Sequence, residues 1–327
     1  MLFALVACGC VSSPPPITPR AKDLEARLPA LAERLAELRG ERLKVLPQVE
    51  RWTRGEFRRY LLTRWEREWP ADQAALEGRV LVTLGLWAAG LDYRAETLAL
   101  TVADTNAAYL EDRDTIVVLM ADPVPDRTLV HELVHALQQQ RWGSLATPQT
   151  FAGLYDQTAA VEGEAVAAEA LFAGDVAKLR ALPETRPFPA KGQPAWHWLS
   201  VDAILAGASA AASEERPGER SLPPSDPRPE AGCVLGPARA GDQIMGKRGV
   251  AWWVALWAPG FPTILRGDSS EGWINDRLRV SGDWLEWKIE CTGEQQAKGL
   301  AAYLAGKRPG LDVSSEGRVF KLRLPLK

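Results

Sequence analysis

Histidine is scarce in this chain, with three residues among 327. Any imidazole chemistry therefore falls on His131, His135 or His197. A basic surplus is missing too, since 39 Lys and Arg face 42 Asp and Glu for a net charge of −3. That leaves no cationic footprint for a phosphate backbone and excludes nucleic acid as a partner. The apolar run at residues 1–7 is far shorter than the ~20 residues a membrane helix needs. Cysteine is confined to Cys8, Cys10, Cys233 and Cys291, so the middle of the chain has no thiolate to offer a metal. No internal repeat is visible. What remains is an ordinary globular composition, 46% hydrophobic and 25% charged, long enough for one large domain or two modest ones. Tryptophan is plentiful, with thirteen residues grouped mostly at 52–69 or beyond 196, and a Trp-rich core explains that better than a stacking surface.

Two of the three histidines stand together in His131-Glu132-Leu133-Val134-His135. On a helix, residues four apart share a face, so both imidazoles can reach one ion. Glu132 then lies beside the open coordination position, where a carboxylate can act as general base. Chance would give this pattern on the order of once in several hundred such chains, so it is read as a zinc site. Zinc needs a third protein ligand. With histidine and cysteine exhausted nearby, a carboxylate of the next helix remains, and Val161-Glu162-Gly163-Glu164-Ala165 supplies two. Glu162 is the expected ligand, because Gly163 lets two helices approach and the residues around it are small. Glu164, two positions on, points to another face.

Periodicity organises the rest. Leucines at 24, 28, 31, 35 and 38 predict a helix from about 23 to 40, and further helices are expected at 48–68 and 72–89. Strand-like runs at 107–110 and 115–120, joined by Glu111-Asp112-Arg113-Asp114, predict a hairpin just before the motif helix. That helix is expected over 126–142, capped by Asp126 or Thr128, and apolar nearly all round, hence buried. An alanine-rich helix follows at 156–173, then a Pro-rich loop at 181–240. Strands at 278–280, 284–291 and 318–324 with a helix at 294–305 complete an α/β C-terminal portion. The expected fold class is α+β, mostly helical, with a small sheet beside the motif helix. Its divisions are 1–22, a zinc-binding domain at 23–240, and a Trp-rich C-terminal portion at 241–327.

Leu5-Val6-Ala7-Cys8 has the form of a bacterial lipobox, with Ser12-Ser13-Pro14-Pro15-Pro16 after it as an extended tether. The expectation is lipidation at Cys8, a membrane attachment through that lipid, and a body held in the bacterial cell envelope on the periplasmic or outer-membrane side. There a disulfide between Cys233 and Cys291 is permitted.

His131-Glu-Leu-Val-His135 followed by Glu162-Gly-Glu-Ala165 resembles the gluzincin pattern of thermolysin-like and aminopeptidase-like enzymes. It is similar, more closely, to a family of bacterial secreted zinc peptidase-like proteins and lipoproteins, many of them myxobacterial. Leu38-Arg39-Gly40, Leu84-Gly85-Leu86, the Tyr109 hairpin, Ala136-Leu137-Gln138 and Gly272-Trp-Ile-Asn-Asp-Arg277 extend the likeness. The resemblance implies a zincin-like fold and a zinc metallopeptidase acting on peptide or protein substrates. His131, His135 and Glu162 would then hold Zn2+, with Glu132 as general base. The chain departs from thermolysin-like enzymes at Val166, where an acid would orient a zinc-bound histidine; Glu169 or Asp156 is the expected substitute. The Pro-rich Leu222-Pro-Pro-Ser-Asp-Pro-Arg-Pro229 also lacks the histidine its relatives carry. Tyr155, Tyr109 and His197 are candidate oxyanion donors. Two other readings stand beside this one: a catalytically inactive envelope lipoprotein that binds a partner, and a metal hydrolase of non-peptide bonds.

Overall fold

A short sheet organises the first half of the fold, and its central strand has no polar face. In this computed structural model the residues described are 21–83, 87–144, 151–175, 177, 208, 242–244, 273–307 and 310–326. Strands β1 (Gln48–Arg51), β2 (Ala107–Leu110) and β3 (Thr115–Val118) lie in the order β1-β3-β2, with β1 parallel and β2 antiparallel to β3. All four residues of β3 are buried, because helices cover both faces.

Alternation along the strands then divides the sheet between two cores. Val49, Tyr109, Ile116 and Val118 face the first core. It is built from α1 (Lys22–Glu25), α2 (Leu28–Arg39), α6 (Asp126–Trp142) and α7 (Phe151–Ala173). Ala108, Leu110 and Val117 face the second core, made with α3 (Arg54–Glu68), α4 (Ala71–Thr83) and α5 (Tyr93–Asp104). There Trp65, Trp69, Tyr93 and Trp87 form an edge-to-face series, with successive ring centroids 5.0, 5.4 and 5.3 Å apart. Trp65 and Trp69 are core, as the grouping at 52–69 suggests, and Trp87 from outside that group joins them.

A second sheet is drawn from residues 242 onward. Strands β4 (Asp242–Ile244), β5 (Trp273–Ser281), β6 (Trp284–Cys291), β7 (Asp312–Glu316) and β8 (Val319–Pro325) run antiparallel in the order β4-β5-β6-β8-β7. Helix α8 (Glu294–Lys307) lays Ala297, Leu300 and Leu304 on Trp287, Ile289, Phe320 and Leu322. Val80 and Leu81 of α4 pack against the same core. Helices and two small sheets together make the fold class α+β. Among the described residues, no helix is long and apolar enough to cross a membrane.

Several boundaries differ from the sequence reading. The helix expected over 48–68 starts only at Arg54, since Thr53 and Glu56 form a reciprocal capping box. Residues 48–51 are instead the strand β1, whose Val49 is fully buried beside β3. The helix expected over 23–40 is broken at residues 26–27 into α1 and α2, and Gly40 ends α2 at φ +73°, a left-handed conformation that a Cβ would strain. Helix α4 is described as far as Thr83 and residues 87–89 are not helical, while α5 adds to the expected helices, with Asp92 capping it by accepting from Ala95 N–H. Strands β4 and β7 are likewise additional. The motif helix spans 126–142 as expected, but its N-cap is Pro125, and neither Asp126 nor Thr128 serves. Most of the Pro-rich loop, together with Cys8, Cys233, His197 and Trp252, Trp253 and Trp257, lies outside the described residues. Cys291 is buried and has no disulfide partner among the described residues.

Helices α4 and α5 meet closely at Gly78, where an added Cβ would sit 2.8 Å from Tyr93 Cβ. Tyr93 Cβ belongs to the helix itself and cannot swing away. Overpacking of about 1–3 kcal/mol then outweighs the up to ~1 kcal/mol an alanine gains in helix propensity. Gly78→Ala is expected to destabilise the fold by roughly 1–2 kcal/mol in urea denaturation; an unchanged or higher midpoint contradicts this packing.

Candidate metal centre

Helix α6 turns His131 and His135 toward one end of a cleft of about 420 Å³, and α7 crosses beside it with Glu162. The approach is close because the facing surfaces are small: Ala165 and Ala168 of α7 pack among Leu129, Val130, Leu133 and Ala136 of α6. The Nε2 atoms of His131 and His135 lie 3.2 Å apart, and Glu162 Oε2 is 3.5 Å from each. Ligands held tetrahedrally at the ~2.0–2.1 Å of zinc–nitrogen and zinc–oxygen bonds are separated by about 3.3–3.4 Å. Three donor atoms at this mutual spacing therefore fit the donor set and bite of a zinc ion, and the group is a candidate metal site. The three side chains are not sealed off: they are 20%, 15% and 28% exposed, each opening into the cleft. A site reachable by solvent suits catalysis better than a closed structural centre.

Glu132 is buried, and its Oε2 accepts from the backbone N–H of Tyr109 at 2.7 Å. This ties the motif helix to the edge strand β2 and leaves the other carboxylate oxygen uncommitted by that bond. Tyr109 therefore enters the site through its main chain. Its phenol, considered from sequence as an oxyanion donor, donates to Asp114 Oδ1 at 2.9 Å.

The imidazoles are held on their outer sides by two different groups. Glu169 Oε2 lies 3.5 Å from His131 Nδ1, and its other oxygen is 3.6 Å from Arg127 Nε. Glu169, one of the two acids considered from sequence, is thus beside the outer nitrogen of His131. His135 Nδ1 and Gln138 Oε1 lie 2.9 Å apart, within hydrogen-bond distance. Gln138 was not identified as a site residue from the sequence, although its position three residues beyond His135 puts it on the same helical face. Glu164 does face away from the metal donors, and it is fully buried against Arg39, Arg141 and Gln138. Tyr155 and Asp156 belong to α7, but the positions of their side chains lie outside the description.

Electrostatics favour a cation between the three donors. Burial works against a charged imidazole, but the Glu162 carboxylate, with Glu169 and Glu132 nearby, outweighs it and pushes His131 up to about 10. His135 is raised as well: burial opposes the charge there too, and Glu162 again prevails. In return, burial would raise Glu162, yet the two histidines hold it well below the usual carboxylate range.

No protein-family model, curated protein or solved structure matches this chain. Function must therefore be argued from the site itself.

Because the histidine values are raised, the metal-free site carries at least one proton at neutral pH, which an ion must displace. Zinc affinity is expected to rise with pH from 6 towards 9. Calorimetry in two buffers of different ionisation heat should report about one or two protons released per ion at pH 7. Binding without proton release contradicts this site.

Proposed function

We propose that the protein is a zinc-dependent metallopeptidase of zincin-like fold. The observation that carries the reading is the convergence of His131, His135 and Glu162 donors within 3.5 Å, with Glu132 in the same cleft and tied to an open strand edge. His131, His135 and Glu162 would hold the ion. When bound, zinc supplies a Lewis acid that polarises a carbonyl and lowers the pKa of water.

Glu132 is the group placed to move protons. Tyr109 N–H fixes one of its oxygens, so the carboxylate cannot rotate freely, and it can accept a proton from attacking water and return it to a leaving amine. Strand β2 supplies the rail for an extended substrate. Leu119 N–H donates to Asn106 C=O, so by antiparallel alternation Ala108 and Leu110 also bond to β3, while Ala107 and Tyr109 turn their main-chain groups outward. Tyr109 N–H is taken by Glu132. Ala107 N–H, Ala107 C=O and Tyr109 C=O then face the open edge, which has no strand partner among the described residues. An added strand of peptide would bond there, with the cleft lined by Ala107, Ala108 and Tyr109 on that side.

Glu132→Gln keeps the shape and an acceptor for Tyr109 N–H but removes the base. It is expected to bind zinc with the parent's stoichiometry and to lose peptide-library cleavage by about 10²–10⁴-fold. Equal cleavage by parent and variant, or parent cleavage indifferent to chelator, contradicts the proposal. Zinc bound by both with cleavage by neither favours the inactive binding module.

A further inference from the structure

The three buried groups behind His135 make a chain that leads away from the cleft. Gln138 lies on α6 and is only 3% exposed. Its Nε2 donates to Val161 C=O at 2.9 Å and to Glu164 Oε2 at 2.7 Å. Both partners are acceptors only, so the amide nitrogen must point to them and Oε1 must point to His135. An acceptor at 2.9 Å then requires His135 Nδ1 to carry the proton. The lone pair is left on Nε2, the atom that converges with His131 and Glu162.

Glu164 is fixed in its turn. Its Oε1 pairs with Nη2 of Arg39, the last residue of α2, and lies 3.3 Å from Arg141 Nη1. Arg141 also pairs with Glu41. Arg39 and Glu164 have side chains 1% and 0% exposed, so neither turns freely to solvent. Glu164 stands two residues from Glu162 on α7, and Val161 is its neighbour on the other side. The bonds that orient the Gln138 amide therefore run to the same segment of α7 that carries the third donor.

We infer that Gln138 is a positioning residue that selects the metal-binding tautomer of His135, and that the Arg39–Glu164 pair sets the Gln138 amide. This rests on the metal-site reading proposed above. A neutral amide suits the place: a carboxylate there would stand beside Glu164, and a hydroxyl would not span both His135 and α7.

The test compares the parent with Gln138→Met, which keeps length and apolar volume but removes the acceptor. Zinc affinity is measured by competition with a chromophoric chelator, and melting of the metal-free proteins shows that both are folded. The variant is expected to bind zinc about 10–100-fold more weakly, as for other groups that orient metal-bound histidines, and to remain folded without metal but melt lower, because Val161 C=O and Glu164 Oε2 also lose a donor. Affinity within threefold of the parent in a folded variant overturns the inference and leaves the metal site standing. A parent that binds no zinc overturns both. Should the variant not fold, ring 15N spectra of the zinc-loaded parent decide: His135 bound through Nε2 with a slowly exchanging Nδ1 proton is expected, and coordination through Nδ1 overturns the inference.

Discussion

The close approach of α6 and α7 is the constraint on which the rest depends. Two histidines four residues apart are aligned by any helix, but the third donor arrives only if a second helix comes near enough for a glutamate to reach both. Alanines at 165 and 168 permit that distance, and the buried contact of Glu164 with Arg39, Arg141 and Gln138 fixes the rotation of α7. Breaking one partner of a buried ion pair costs roughly 3–5 kcal/mol, far more than an exposed pair is worth. Such a pair therefore specifies the position of a helix better than the surface bridges elsewhere on the molecule do. Glu162 on one side of α7 and Glu164 on the other have separate tasks, one facing the cleft and one holding the helix.

The sheet makes the second demand. Strand β3, buried on both faces, separates the aromatic core of α3–α5 from the core beneath α6. Its partner β2 is an edge strand whose outward-facing Tyr109 amide meets Glu132. The bond does two things at once: it satisfies a carboxylate that is 5% exposed, and it sets the distance between the motif helix and the open edge. Fold and site thus share an atom pair. A shift of β2 by one residue would turn Tyr109 N–H to β3 and leave Glu132 without this donor.

Much of this was legible in the sequence where periodicity or residue scarcity spoke strongly. The hairpin, the motif helix over 126–142, the C-terminal helix and the strand at 284–291 follow from apolar spacing. His131 and His135 follow from their spacing of four on a helix and Glu162 from the lack of other nearby ligands, and the structure brings the three together. Local signals failed where tertiary pairing decided. Gln48–Arg51 has the look of a helix start until β3 offers a parallel neighbour. Gln138 and Arg39 give little sign of a role at the site, because they lie 26 and 125 residues along the chain from their shared partner Glu164. Tyr109 meets Glu132 through its amide, a group every residue but proline has, so that contact leaves no sign in the sequence.

The most direct test of the account is a zinc-edge anomalous difference map from crystals of the protein grown with zinc. The account predicts one strong peak about 2.0–2.2 Å from Nε2 of His131, Nε2 of His135 and a carboxylate oxygen of Glu162, with room for a fourth ligand on the cleft side. A peak at other residues, a peak fully enclosed by protein ligands, or no peak between these three side chains would contradict it.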